Sequence, residues 1–323
     1  MSLVSVTNLS RRFGAVHAVR DVSFSFDAGE IFGFIGPNGA GKSTTMRILA
    51  TLDLPSEGDC HVAGLSTVDD ADQVRRMIGY MPDSYGTYPN MTVAEYLDFF
   101  ARAYDLTGDK RRRAVSDVID FCQLGGLTEK LVNTLSKGMK QRLCLGRCLI
   151  HDPKLLILDE PSAGLDPRAR IEFRELLRLL AQQGKGIFIS SHILAELEEL
   201  CTGVAIVEQG RLVTSGKVAD IKATVEERMQ QRAAAAPGEA AAFVEIRLSA
   251  AFERVASLLA EQPELSEVQI AHLIISARCR GGPAEQAALL KRLIDAGMPI
   301  CKFAGREQNL EDLFMHLTEG KVS

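Results

Sequence analysis

The stretch Ile31–Thr44, IFGFIGPNGAGKST, constrains this chain more than any other. An apolar run, Ile31–Ile35, enters Gly36-Pro37-Asn38-Gly39-Ala40-Gly41-Lys42-Ser43, and a helix-forming segment follows from Thr44. The order strand, glycine-rich loop, helix with a G-x-x-x-x-G-K-[ST] loop is a phosphate cradle. A phosphate needs several backbone N–H groups aimed at one point, and glycines clear the approach. The helix adds the positive end of its dipole. Lys42 supplies a point charge for the β/γ-phosphates and Ser43 a hydroxyl for Mg²⁺. A chain built around this unit is expected to be α/β.

Around that loop the sequence alternates strand and helix. Val22, Phe24 and Phe26 alternate with polar residues, the pattern of a half-buried strand. Between the first two strands lies Phe13. It is a candidate to stack on a nucleotide base, and its spacing fits a core position equally well. Met77–Met81 reads as a short strand. Residues 90–131 turn helical, with Thr92 and Glu95 spaced as a capping box. Val115, Val118, Ile119 and Cys122 share one face of a second helix. Ser136 stands at the N-cap of a further helix. Leu155-Leu156-Ile157-Leu158 is a continuous apolar run, as in a strand buried on both faces of a parallel sheet. It ends in Asp159-Glu160, where open α/β sheets bind ligands. Gly186–Ser190 repeats the buried-strand pattern, followed by Ser191 and His192.

Beyond residue 220 the character changes. A helix and an Ala-rich, low-complexity linker occupy 221–242. Residues 243–323 alternate strand and helix, including a helix over Leu310–Leu317. That suggests a small α+β accessory domain, ferredoxin-like as one option.

With 323 residues, 46% hydrophobic and 24% charged, the chain has the make-up of a globular protein. A net charge of −5 gives no basic field for nucleic acid. No apolar run reaches the ~18 residues of a membrane span, and the N-terminal stretch lacks a signal-peptide core. A cytoplasmic protein is expected, with any membrane spans supplied by another chain. Of the seven cysteines, Cys144 and Cys148 lie one helical turn apart. Small buried hydrophobes are the expectation, a metal or redox pair the alternative. The basic run Lys110–Arg113 suits a solvated helix face, or contact with a partner or headgroups.

Six segments in a fixed order carry a family resemblance: Gly36–Thr44, the loop ending in Asp83, Leu135–Met139, Asp159-Glu160, Ser162–Asp166, and His192. Over roughly residues 2–220 the chain resembles the nucleotide-binding subunit of an ABC transporter. The resemblance implies a P-loop NTPase core with an antiparallel β subdomain and a helical subdomain at about 84–150. It implies ATP and Mg²⁺ as cofactors, with Phe13 and Gly36–Thr44 on the nucleotide. Ser43 and Asp159 would hold the metal. Glu160 would act as general base and His192 would contact the γ-phosphate. Ser136, Lys137 and Gly138 would face the nucleotide of a second copy, or of a homologous ATPase subunit, with Ser162 and Asp166 in the loop at the dimer seam.

Two departures stand out. Asp83 replaces the family's Gln; it could still bind Mg²⁺ or its water, but is shorter and charged. Lys137 and Met139 replace Gly and Gln in the signature, giving the SKGM form. With its trailing domain, that form resembles exporters of drugs, antibiotics or sodium whose permease is a separate multi-span chain. The expected function is thus a peripheral ATPase at the cytoplasmic face of the membrane. The alternative is an ABC ATPase driving a non-transport partner. A GTPase would need an N-K-x-D motif, which the sequence lacks.

Overall fold

The computed structural model describes residues 2–84, 86, 88, 90–191, 194–221, 241–252 and 254–305. Within them the chain divides into two compact units, the first ending at Val218 and the second beginning at Ala219.

The first unit opens with a long hairpin, β1 (Val4–Phe13) and β2 (Val16–Phe26), turned at Gly14. β3 (Ile31–Ile35) leads into α1 (Lys42–Leu49). Then follow β4 (Glu57–Val62), β5 (Leu65–Ser66), α2 (Ala71–Met77) and β6 (Ile78–Met81). Three helices come next, α3 (Val93–Ala103), α4 (Gly108–Phe121) and α5 (Lys137–Leu149). The unit is completed by β7 (Leu155–Leu158), α6 (Pro167–Gln182), β8 (Gly186–Ser191), α7 (Leu194–Leu200), β9 (Gly203–Glu208) and β10 (Arg211–Lys217).

These strands form two sheets. One is antiparallel, in the order β2-β1-β4-β5. The other runs β10-β9-β3-β8-β7-β6, parallel except for the β9–β10 edge. Every residue of β3, β7 and β8 is buried. Cover on both faces therefore explains the apolar letters of β3 and β7, and of β8 as far as Ile189. The two sheets meet at a seam of phenylalanines: Phe24 and Phe26 of β2, Phe32 and Phe34 of β3, and Phe188 of β8. Their ring centroids lie 4.9–6.3 Å apart, within the favourable range for aromatic pairs.

The helical region meets at Gly146 of α5, where a methyl would come 2.8 Å from Val118 of α4 and 3.5 Å from Leu97 of α3. The capping box at α3 is formed: Thr92 N–H donates to Glu95 Oε2 at 2.8 Å, and Glu95 N–H to Thr92 Oγ1 at 3.2 Å. The strand expected over Met77–Met81 starts at Ile78 because α2 extends through Met77. Cys144 and Cys148 are buried. Among the described residues no helix is long and apolar enough to cross a membrane.

The second unit contains β11 (Ala241–Leu248), α8 (Val255–Ala260), β12 (Leu265–Ala271), β13 (Ile274–Arg280), α9 (Pro283–Asp295) and β14 (Ile300–Gly305). Its antiparallel sheet has the order β12-β13-β11-β14. That β-α-β-β-α-β arrangement is the ferredoxin-like topology. Alternate residues of β11 and β13, from Val244 to Leu248 and Ile275 to Cys279, pack with Leu259, Leu289 and Leu293. The Ala-rich linker is shorter than expected, since Ala241 and Ala242 pair with Arg280 and Cys279. β12 was not anticipated: a register break between Ser266 and Gln269 interrupts its alternation, and most of its side chains are exposed. The helix expected at Leu310–Leu317 lies outside the described residues.

Candidate functional site

The phosphate loop is held by backbone packing. Gly41 has φ +92°, and a methyl there would lie 2.4 Å from the carbonyl oxygen of Ala18 on β2. A methyl on Gly36 would lie 2.4 Å from the Val207 carbonyl oxygen on β9. Only glycine suits either place. Lys42, the first residue of α1, is 7% exposed. Its Nζ donates to the carbonyl oxygens of Gly36 at 2.7 Å and Pro37 at 3.1 Å. Burial lowers the Lys42 pKa, and the nearby Glu160 and Asp159 carboxylates oppose that shift.

In front of the loop opens a cavity of about 410 Å³. Asn38, Gly39, Gly41, Lys42, Ser43 and Thr44 line one wall. Asp83, Asp159 and Glu160 reach it from the ends of β6 and β7, and Phe13 from the end of β1. Gly36, Pro37 and Ala40 do not line it. Phe13 is 45% exposed, so it is not a core residue. The Arg11 guanidinium covers one face of its ring at 4.4 Å and pairs with Asp53 at 2.7 Å. Tyr80 lies near the carboxylates; burial first, then Asp159, pushes its pKa up to about 12. His192 lies outside the described residues.

Asp159 is 4% exposed. Its Oδ1 accepts the hydroxyl proton of Ser190 at 2.6 Å. The same Ser190 oxygen accepts the Glu160 N–H at 2.9 Å. Glu160 itself has φ +50°, a left-handed conformation uncommon for a residue with a side chain. Sequence reasoning did not single out Ser190. Its one signal is a serine pair at the end of an otherwise apolar strand.

The signature residues line a different cavity, of about 470 Å³. Ser136 caps α5 by accepting Met139 N–H at 3.3 Å. Asp166 caps α6 by accepting Ala169 N–H at 2.9 Å. Both line this second cavity with Gly138, Met139 and Arg142. Lys137 lies across Gly164, where a methyl would come 2.3 Å from its Nζ. Ser162 is buried at the start of the same loop. Gln141, also unanticipated, donates its side-chain amide to the carbonyl oxygen of Pro161 and so links α5 to the turn after Glu160.

The sequence profile of a family described as ABC transporter matches residues 19–163, which include the phosphate loop, Ser136 to Gly138, Asp159 and Glu160. The chain is 33% identical over 315 residues to Nod factor export ATP-binding protein I of Burkholderia orbicola, covering 98% of this chain and 96% of that relative. The chain belongs to the ABC transporter family. It is an ATP-binding, ATP-hydrolysing subunit of that family. The ABC ATPase is also 32% identical over 320 residues to the bacitracin transport ATP-binding protein BcrA of Bacillus licheniformis, covering 99% of this chain and 98% of the relative. Among solved structures, the ATP-binding subunit of an ABC transporter superposes with a TM-score of 0.64 at 33% identity. It covers 70% of this ABC ATPase and 95% of that chain.

Proposed function

We propose that this ABC ATPase pairs with a second copy around two ATP molecules and, through cycles of hydrolysis, drives a separate multi-span permease in export. One observation carries the pairing. Ser136 and Gly138 line a cavity separate from the one holding Lys42, Asp159 and Glu160. A γ-phosphate cradled by Lys42 is then completed by the α5 N-terminus of the other copy, whose free N–H groups suit an anion. ATP joins the halves and hydrolysis parts them, an alternation that can move a partner.

Within one site, Lys42 and the loop amides hold the phosphates, and Phe13 offers its uncovered ring face to the base. Glu160 orients and deprotonates the attacking water. His192 is assigned to the γ-phosphate by its place in the sequence. The cation chemistry also fits. Ser43, Asp159 and Asp83 offer oxygen donors only, which suit Mg²⁺. Among the described residues no group of three acidic, His or Cys side chains could hold a metal alone, so phosphate oxygens would complete the shell. A cation held by these residues would supply positive charge to offset the negative charge on the phosphates.

The permease is placed against α3 and the groove beside it. Tyr88, Phe99 and Tyr104 are exposed there. A cavity of about 340 Å³ is lined by Leu52, Tyr80, Phe100 and Tyr104 with Arg75 and Arg147. Tyr85, a further candidate contact, lies outside the described residues. The ATPase would thus sit at the cytoplasmic face of the membrane through its partner. Export as the direction follows from the relatives named for Nod factor export and bacitracin transport.

Two experiments test this. Detergent-solubilised membranes of the native host should yield a multi-span protein with the tagged ATPase, and repeated failure to recover one overturns the permease assignment. Glu160→Gln should bind ATP and elute as a dimer in size-exclusion chromatography, with turnover about 10²-fold or more below the parent. Near-parent turnover removes Glu160 as the base.

A further inference from the structure

We infer that Ser190 is a positioning residue for hydrolysis, one hydroxyl that sets both the metal-facing carboxylate of Asp159 and the backbone of Glu160. The inference rests on the roles proposed above for those two residues.

Ser190 sits on β8, the strand beside β7, and is 0% exposed. It borders the site without lining the nucleotide cavity. A serine hydroxyl has one proton to give and lone pairs to receive. An ionised carboxylate can only accept, so the proton goes to Asp159 Oδ1, at 2.6 Å. The oxygen is then left to accept the Glu160 N–H, at 2.9 Å. Both valences are thus spent on two consecutive residues of the site. A serine present only to fill space would need neither.

The two bonds act on different quantities. The bond to Asp159 fixes one carboxylate oxygen and leaves the second for a cation. The bond from Glu160 holds its main chain at φ +50°. Such a conformation persists only where surroundings enforce it, and it clusters at working sites. In this conformation Glu160 lines the cavity. Without the Ser190 oxygen, the restraint on that backbone weakens and the carboxylate loses its aim. Hydrolysis, which needs a water aligned to within a fraction of an ångström, should suffer more than nucleotide capture, which relies on Lys42 and the loop.

The test compares Ser190→Ala and Ser190→Thr in the full-length ATPase, with Glu160→Gln alongside. ATP affinity is measured at equilibrium with chelator and again with Mg²⁺, and turnover is measured separately. In Ser190→Ala, affinity without Mg²⁺ should stay within twofold of the parent. The gain in affinity on adding Mg²⁺ should shrink, and turnover should fall about 10- to 100-fold, the range for losing a hydrogen bond to a charged group. Ser190→Thr, which keeps the hydroxyl, should recover to within about threefold of the parent. If Ser190→Ala does not fold, Ser190→Cys replaces it as the weak-donor variant.

Parent-like turnover in Ser190→Ala overturns the inference. So does equal loss in Ser190→Thr, or a loss that tracks Mg²⁺-free ATP affinity. If Glu160→Gln stalls while Ser190→Ala runs normally, only the role of Ser190 falls. If Glu160→Gln turns over like the parent, the assignment of the base falls, and the inference with it.

Discussion

Gln141, one turn into α5, gives its side-chain amide to the carbonyl oxygen of Pro161, the residue after Glu160. One hydrogen bond thus joins the helix headed by the signature to the turn that carries the proposed base. Gln141 is buried, so no water replaces the lost donor freely. Gln141→Leu, of similar size, should cost about 1–3 kcal/mol, the penalty of stranding a buried carbonyl. Urea unfolding would show it. Turnover should fall with ATP affinity held, because the phosphate loop is not touched.

Lys42 makes the opposite case. Among the described residues, its ammonium bonds the loop carbonyls of Gly36 and Pro37. Lys42→Ala should leave the fold standing and weaken ATP binding about 10- to 100-fold, as expected for one charged hydrogen-bonding partner. Isothermal titration measures it. Unchanged affinity would remove the loop as the phosphate site.

Gly36→Ala would push a methyl to 2.4 Å from the Val207 carbonyl oxygen and 2.9 Å from its Cγ2. The obstacle includes main chain, so strand β9 or the loop must shift. A loss of about 1–3 kcal/mol is expected, as for overpacking of a filled interior. A lower urea midpoint together with weaker ATP binding would confirm that both sides of the contact moved.

His151 should make stability depend on pH. Its Nε2 lies 2.8 Å from the Ile78 carbonyl oxygen, so Nε2 carries the proton, and its ring stacks on Tyr104 at 3.7 Å. Burial lowers its pKa below the ordinary 6.5, with Lys185 in the same direction and the Ile78 bond and Asp152 opposed. The unfolded chain therefore binds the proton more readily than the folded one. The contribution is full above pH 6.5 and is lost as pH falls from there through the folded value. The urea midpoint should drop between about pH 7.5 and 5.5, and less so in His151→Gln.

Where the chemistry dictates letters, the sequence was legible. Gly36, Gly41, Lys42 and Ser43 are what a phosphate demands, and the apolar runs at β3, β7 and the start of β8 follow from cover on both faces. Thr92 with Glu95, and Ser136, announced their caps through local spacing alone. Other features depend on which strand lies beside which. Ser190 could not be singled out, because nothing in the sequence says that β8 borders the end of β7. Phe13 was ambiguous for the same reason: its exposure follows from where β1 ends. β12 escaped because a register break erased its alternation, and α2 because seven residues carry too little periodicity. The placing of Lys137 over Gly164 of its own subunit was likewise not legible, since that contact is set by tertiary packing.

The pairing of β3 has a consequence for how the molecule is made. Its two neighbours are β8 and β9, in register from Ile31 with Ile187 and from Phe32 with Gly203. At ~5–20 residues per second, the ribosome needs roughly 8–30 s to travel from the end of β3 to the start of β8. Throughout that interval Phe24, Phe26, Phe32 and Phe34 wait without Phe188, and the strand that carries the phosphate loop waits without an edge partner. The nascent chain therefore carries unpartnered aromatic side chains for nearly half of its synthesis, a ready substrate for chaperones. ATP cannot help it fold early, since the pocket that would hold the nucleotide is complete only once Asp159 and Glu160 have emerged.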